Sequence, residues 1–92
     1  MQQNAETFPP DLSRVARGEW LGALRKQGEE RGFAEPLGKA HAGLFIEEGD
    51  TLLVSFETMP GIAALSETRT PLGWDMVRSH GWSCLSVLSH SD

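Results

Sequence analysis

The run TLLVSFE at residues 51–57 limits most strongly what this chain can fold into. A charged turn at residues 47–50 precedes it and the pair Pro60-Gly61 follows it. Its length, its flanks and its β-branched and aromatic side chains therefore predict a β-strand. Because three large apolar residues, 52–54, are consecutive, neither face is polar. This pattern predicts a strand in the interior of a parallel or mixed sheet that is covered on both faces.

The segment before this strand predicts one helix and one further strand. Apolar residues at three- and four-residue spacing indicate a helix over residues 11–31. Asp11 or Ser13 is expected to cap its beginning, and Gly32 is expected to end it in the left-handed conformation. Residues 33–39 contain Pro and Gly and predict a connector, and residues 42–47 predict a strand.

The segment after the run predicts a second helix and a last strand. Pro71 suits the first position of a helix, with Thr70 as its cap and Gly81 at its end. A strand over residues 82–88 then completes a strand–helix–strand unit, whose strands should be parallel with a right-handed crossover. The side chains expected to be buried are Trp20 and Leu24 of the first helix, and Leu72, Met76 and either Val77 or His80 of the second.

The predicted fold is therefore α/β: an N-terminal helix, then β-β-α-β in a small mixed sheet whose last two strands are parallel. Residues 1–10 are polar, end in Pro9-Pro10 and are expected to form a disordered leader. Residues 11–92 are expected to form a single α/β domain, the N-terminal portion of a longer one. Two arrangements of strands 42–47 and 51–57 remain open: a hairpin of neighbours, or a later strand inserted between them.

Composition and charge exclude several classes of partner. The net charge is -5 and Lys and Arg are scattered singly, which argues against a nucleic-acid or anionic-membrane surface. No apolar run approaches the ~20 residues needed to cross a bilayer. Residues 1–6 have neither the basic nor the apolar region of a secretory signal. A single cysteine fits a reducing compartment. We expect a cytoplasmic protein that binds neither nucleic acid nor a membrane.

The chemical motifs of the chain are weak. Residues 81–85 begin like the nucleophile elbow of serine hydrolases, but Leu85 replaces the second glycine and Ser83 precedes a strand instead of following one. Cys84 lies inside a predicted strand and is expected to be a buried, unreactive thiol. The histidines and acidic residues lack metal-ligand spacing, and the glycines of residues 32–43 lack a phosphate-binding pattern. We therefore expect no catalytic residues, metal or cofactor.

One region favours a ligand. In open α/β sheets, ligands bind beyond the carboxyl ends of the parallel strands. That edge is expected to hold residues 57–61 after the second strand and residues 89–92 after the last. The Pro-Gly pair could turn backbone N–H groups toward a bound oxyanion. The candidate ligand-binding residues are Thr58, Met59 and Gly61.

Residues 44–61 and 71–92 resemble the opening of an α/β-hydrolase domain. The matching features are a strand, a glycine-containing connector, an apolar strand, a glycine-containing loop, and then a helix, a Gly-Trp pair and a strand that leads to an aspartate. The resemblance implies that the fourth strand lies between the second and third. It also implies an oxyanion donor at Thr58-Met59, although Glu57-Thr58 replaces the usual His-Gly of that family.

More narrowly, the runs LFIEEGDTLLVSFET and LGWDMVRSHGWSCLSVLSH are similar to an alphaproteobacterial, hydrolase-like family whose members often carry the name phosphoadenosine phosphosulfate reductase. Neither the mobile C-terminal cysteine motif nor the nucleotide loop of such a reductase is recognisable in this sequence. In α/β-hydrolases the nucleophile, the acid and the histidine all follow the fourth strand. The resemblance thus implies a catalytically inactive N-terminal fragment of a longer hydrolase-like protein.

A second function class remains open. The chain could be a small binding or interaction module whose exposed sheet edge is completed by a partner or by a second copy in a homodimer. A deeply buried Trp82 and a closed core are expected for such a module. An open sheet with exposed Leu53, Val87 or Met76 is expected for the fragment.

Overall fold

The computed structural model describes residues 8–90. In this range the strands form one mixed sheet, and the helices pack on it. The predicted α/β class, with a helix first and the last two strands parallel, is confirmed. Residues 1–7 of the predicted leader and residues 91–92 of the predicted loop 89–92 lie outside the described residues. The elements are α1 (Arg17–Arg31), β1 (Gly32–Pro36), β2 (His41–Ile46), β3 (Leu52–Thr58), α2 (Met59–Leu65), α3 (Leu72–His80) and β4 (Ser83–Ser89).

The strand order of the sheet is β1-β2-β4-β3. Strand β4 pairs antiparallel with β2 and parallel with β3, so the inserted arrangement is correct and the hairpin is not. The prediction that residues 51–57 form an interior strand is wrong, because β3 is at the edge and exposed side chains alternate along it. Its consecutive apolar residues divide between a packed face and an exposed one.

Strand β1 was not predicted, because a connector was expected over residues 33–39. It pairs antiparallel with β2, from Gly32 opposite Ile46 to Pro36 opposite Ala42. Gly32 is not the left-handed stop that was predicted, since its φ of -176° is extended. A Cβ atom at Gly32 would collide with the carbonyl oxygen of Phe45, so close approach of two strands requires glycine here.

Helix α1 begins six residues later than predicted, at Arg17, after an Ala16 that provides no side-chain cap. Asp11 does not cap a helix; its Oδ1 accepts hydrogen bonds from the amide (3.0 Å) and the hydroxyl (2.6 Å) of Ser13. The hydrogen bonds from Ser13, its hydroxyl first, hold the pKa of Asp11 below its ordinary value. Leu12 is nevertheless buried and its amide donates to the Thr68 carbonyl at 2.8 Å. Residues 11–16 therefore pack on the domain as a turn.

The buried stripe of α3 differs from the prediction. Val77, one of the two predicted alternatives, is buried, whereas His80 and Leu72 are exposed and Met76 is half-buried; Trp74, which was not predicted, is buried. The helix starts after Pro71, and the hydroxyl of Thr70 does not cap it. Gly81 ends the helix, as predicted, and its φ of 70° is in the left-handed region. Trp74 and Val77 are three residues apart and therefore lie on the same face of the helix, the face that is buried.

The helices of the described residues pack on one face of the sheet. Alternation and register place Leu44, Ile46, Cys84 and Leu88 on this face, where they contact the helices. Trp20 and Leu24 are both buried, as predicted. The core consists of Leu12, Trp20, Leu24, Leu44, Ile46, Ile62, Trp74, Val77, Cys84 and Leu88.

Candidate functional site

The carboxyl ends of β3 and β4 lie side by side, because Thr58 is opposite Ser89 in the parallel register. The two predicted loops therefore begin at one edge of the sheet, and the amide of His90 donates to the Ala40 carbonyl at 2.8 Å. Met59 and His90 both line a hollow of about 400 Å³ at this edge. The beginning of α1 completes its wall with Arg17, Gly18, Trp20 and Leu21.

The three predicted ligand-binding residues have different positions. The amide of Gly61 donates to Thr58 Oγ1 at 3.0 Å, so both residues form the first turn of α2. This amide is therefore engaged within the chain. Met59 is half-buried and lines the hollow. Ligand binding by Thr58, Met59 and Gly61 remains a prediction.

Glu57 has a structural role that the sequence did not indicate. Its Oε1 accepts a hydrogen bond from the Leu72 amide at 2.6 Å, and its Oε2 accepts one from the Gly73 amide at 3.2 Å. The hydroxyl of Ser55 also donates to Oε2, at 2.8 Å. The carboxylate thus satisfies the first amides of α3 from a neighbouring strand, at the end of the helix that favours negative charge.

A small cluster of one thiol and two hydroxyls lies between β3, β4 and α3. Cys84 Sγ is 3.4 Å from Ser86 Oγ and 4.0 Å from Ser55 Oγ. The thiol is fully buried, as predicted, and burial raises its pKa against the opposing effect of the Ser86 and Ser55 hydrogen bonds. A protonated, inaccessible thiol is a poor nucleophile. We assign the cluster to packing.

Ser83 fastens the β2–β3 connector to the beginning of β4. Its Oγ accepts hydrogen bonds from the amides of Glu48 (2.9 Å) and Gly49 (3.1 Å) and donates to the Gly49 carbonyl at 2.8 Å. One donor and two acceptors are all that a hydroxyl offers, so its hydrogen-bonding capacity is used. Ser83 therefore positions the β2–β3 connector at the beginning of β4.

The sheet face opposite the helices is a second candidate surface, which we call the open face. Leu52, Val54 and Phe56 alternate along β3 with the half-buried residues of the packed face, and Phe56 is 79% exposed. At the other edge, the rings of Phe33 and Phe45 stack with centroids 5.0 Å apart. The register places Leu85 and Val87 of β4 between these two groups. The open face is therefore apolar across the four strands.

Comparisons with known proteins identify no relative. No family, no curated protein and no solved structure matches this chain. Within residues 8–90, no three His, Cys, Asp or Glu side chains are grouped so that they could hold a metal ion. In that same range, none of the helices is long and apolar enough to cross a membrane.

Proposed function

We propose that this chain is a non-catalytic α/β scaffold from the N-terminal part of a hydrolase-like protein, and that further protein elements cover its open face. The observation that carries the proposal is the 79% exposed Phe56 on edge strand β3 of an apolar sheet surface. A parallel strand pair of a soluble protein is ordinarily covered on both faces. In this chain the helices of the described residues cover one of the two faces of the sheet.

The size and character of the open face support a protein covering. Its exposed members include Phe33 (45%), Leu52 (54%) and Val54 (44%) in addition to Phe56. Contiguous apolar patches of this kind mark interaction surfaces. Strand β3 also pairs only with β4 among the described strands, so its outer side offers backbone groups to a further strand.

The strand order supports the hydrolase-like part of the proposal. The resemblance implies a fourth strand between the second and third, and β4 has that position. Neither criterion set by the sequence is fully met: Trp82 is half-buried, not deeply buried as expected of a closed module, and it packs at a tilt against exposed His80. Leu53, Val87 and Met76 are also half-buried, not exposed as expected of the fragment. The Ser83 hydroxyl is engaged in hydrogen bonds to the β2–β3 connector, and the Cys84 thiol is buried in the core. Chemistry in a longer protein would therefore depend on residues outside this chain.

A self-associating module is the second candidate. The exposed edge of β3 favours it, because an identical edge of a second copy could pair with it and bring two open faces into one continuous surface. This candidate predicts a discrete dimer. The scaffold predicts a monomer that binds apolar probes on its open face.

Sedimentation velocity and binding of an apolar fluorescent dye distinguish these outcomes. Phe56→Lys removes the most exposed large apolar side chain of the open face, and Leu65→Lys is the matched control because Leu65 is 71% exposed on α2. We expect a monomer whose dye binding falls in Phe56→Lys and is kept in Leu65→Lys. A discrete dimer lost only in Phe56→Lys would favour the second candidate. A monomer that binds no dye would contradict both.

A further inference from the structure

The open face has a shallow trough that follows β4. Leu85 and Val87 of β4 are half-buried and form its floor. The register places Phe45 of β2 and Val54 of β3 on either side of Leu85, and Phe56 of β3 beside Val87. Because phenylalanine is larger than the floor residues, Phe45 and Phe56 extend further from the sheet and form walls on the two sides of β4.

A residue of the β1–β2 turn continues the wall on the β2 side. Gly43, which is opposite Val87, has no side chain, and Leu37 lies over it. A Cβ atom at Gly43 would be 3.4 Å from Leu37 Cδ1. Since Leu37 is 48% exposed, this wall presents apolar surface to the trough.

The dimensions of the trough are those of an α-helix. The walls come from β2 and β3, which are two strand spacings apart, or about 10 Å. An α-helix with its side chains is about 10–12 Å wide. Strand β4 has 7 residues and is therefore about 23 Å long, which is the length of about 15 helical residues.

Acidic residues lie at the end of the trough where β4 begins. Ser83 alternates with Cys84 of the packed face, so its side chain is on the side of the open face. The Ser83 hydroxyl accepts the amides of Glu48 and Gly49, which places the β2–β3 connector at this end. The connector has three exposed acidic side chains, those of Glu47, Glu48 and Asp50.

Basic side chains of the neighbouring segments lie elsewhere. The Arg31 carbonyl accepts the Glu47 amide at 3.0 Å, but the Arg31 guanidinium carbon is 4.4 Å from the centre of the Phe8 ring. Phe8 packs against the core, on the helix side of the sheet. Lys39 and His41 are at the opposite end of β2, where they line a hollow against α1. The connector therefore gives the apolar trough one acidic end.

We propose that an amphipathic α-helix covers the open face, with its apolar stripe in the trough and its basic side chains paired with the carboxylates of the connector. This inference rests on the proposed function and adds the chemistry of the covering element. Opposite charges around an apolar contact select and orient a partner. A second copy of this chain fits less well, because it has a net charge of -5 and brings a second acidic connector.

Three peptides of about 15 residues test the chemistry of the covering element. The first has leucine at helical spacing and lysine elsewhere, and the second has glutamate in place of lysine. The third keeps the leucine and lysine composition but alternates the two residues, which favours a strand. Fluorescence anisotropy measures the binding of each labelled peptide to the 92-residue chain. We expect the first peptide to bind at least tenfold more tightly than the other two.

The other outcomes separate this inference from the proposed function. Equal binding of the glutamate peptide overturns the charge pairing, and tighter binding of the alternating peptide overturns the helix in favour of a strand added to β3. If the first peptide does not bind but an apolar dye binds and is lost in Phe56→Lys, the helix is overturned and the proposed function is supported. Absence of both peptide and dye binding overturns both.

Two triple variants locate the charge pairing. The connector variant neutralises three carboxylates and keeps the backbone amides that bond to Ser83; its changes are Glu47→Gln, Glu48→Gln and Asp50→Asn. The matched control neutralises three exposed carboxylates of α1, in Glu19→Gln, Glu29→Gln and Glu30→Gln. Affinity for the first peptide should fall at least fivefold in the connector variant and stay unchanged in the control. An equal fall in both overturns the assignment, because net charge alone would then explain the binding.

Discussion

The carboxylate of Glu57 reaches from the end of β3 to the beginning of α3, where its Oε1 accepts the Leu72 amide at 2.6 Å. The two residues are 15 positions apart in sequence, so the cap of this helix is a tertiary contact. It joins the edge strand to the helix that covers it. Strand β3 has one hydrogen-bonded neighbour among the described strands, and this contact is a second attachment.

Replacing Glu57 should therefore weaken the domain. Glu57→Ala leaves the Leu72 and Gly73 amides without their acceptor, and we expect the free energy of unfolding to fall by about 1–2 kcal/mol. Glu57→Gln keeps one acceptor oxygen without the charge and should fall between wild type and Ala. Urea titration measures the change, with exposed Glu67→Ala as control. Equal midpoints for both alanine variants would contradict the cap.

Glycine at position 73 is required by packing. A Cβ atom there would be 2.7 Å from Cys84 Sγ and 3.1 Å from Ser55 Oγ. Although alanine favours helices, we expect Gly73→Ala to destabilise by about 1–3 kcal/mol through overpacking. Gly22→Ala on α1 is the matched control: no atom lies within 4 Å of its Cβ, so it should stabilise by about 0.5–1 kcal/mol.

A double variant tests the cause of that loss. Cys84→Ala removes the sulfur that the new methyl group meets, so Gly73→Ala should cost less in the Cys84→Ala background than in wild type. Thermal and urea unfolding of the four proteins give the coupling free energy. Additivity within about 0.3–0.5 kcal/mol would show that the sulfur is not the obstacle.

The hydroxyl of Ser83 should hold the β2–β3 connector. Ser83→Ala leaves the amides of Glu48 and Gly49 without their acceptor, and a loss of about 1–3 kcal/mol follows from the cost of such groups. Hydrogen exchange at these two amides should accelerate more than exchange across the sheet. Ser79→Ala provides the comparison, because the Ser79 hydroxyl donates to the Asp75 carbonyl on an exposed helix surface. Unchanged protection at 48 and 49 would refute the role.

Stability should also depend on Cys84 in alkaline solution. Burial raises its pKa above the ordinary 9.0, so the unfolded chain loses this proton at a lower pH than the folded chain. The unfolded state then binds fewer protons, and stability falls as pH rises through 9.0. Urea titrations from pH 8 to 10 should show a steeper decline for wild type than for Cys84→Ala. Parallel curves, or rapid alkylation of the folded thiol, would contradict this.

Residue spacing and flanking residues were sufficient to predict those helices and strands whose sequence pattern lies within the element itself. Strands β3 and β4, the helix that ends at Gly81 and the burial of Trp20 all followed from spacing and flanking residues. Strand β1 did not, because residues 32–36 contain Gly and Pro and lack an apolar alternation. It forms because Gly32 admits the Phe45 carbonyl, which is a contact between strands. The edge position of β3 likewise depends on where β4 inserts.

The residues at the candidate site likewise include some that the sequence could predict and some that it could not. Thr58 and Met59 come at the end of an apolar strand, so their position at the carboxyl edge of the sheet could be expected from the sequence, while ligand binding there stays a prediction. Arg69 could not be found from its neighbours in sequence. It lines a hollow with Arg17 and Met59, and the Trp20 indole donates to its carbonyl across 49 positions. Convergence of distant residues on one hollow is a property of the packed chain.

The position of β4 in the sheet has a consequence for synthesis. It is the last of the described strands to be translated, yet it is the neighbour of both β2 and β3. A nascent chain that ends before residue 83 can pair β1 with β2, while β3 has no neighbour among these strands. Domains whose contacts are distant in sequence assemble slowly and expose apolar surface meanwhile. Until β4 leaves the ribosome, the apolar side chains of β3 have no partner strand among the described strands, and during this interval a chaperone would bind the segment.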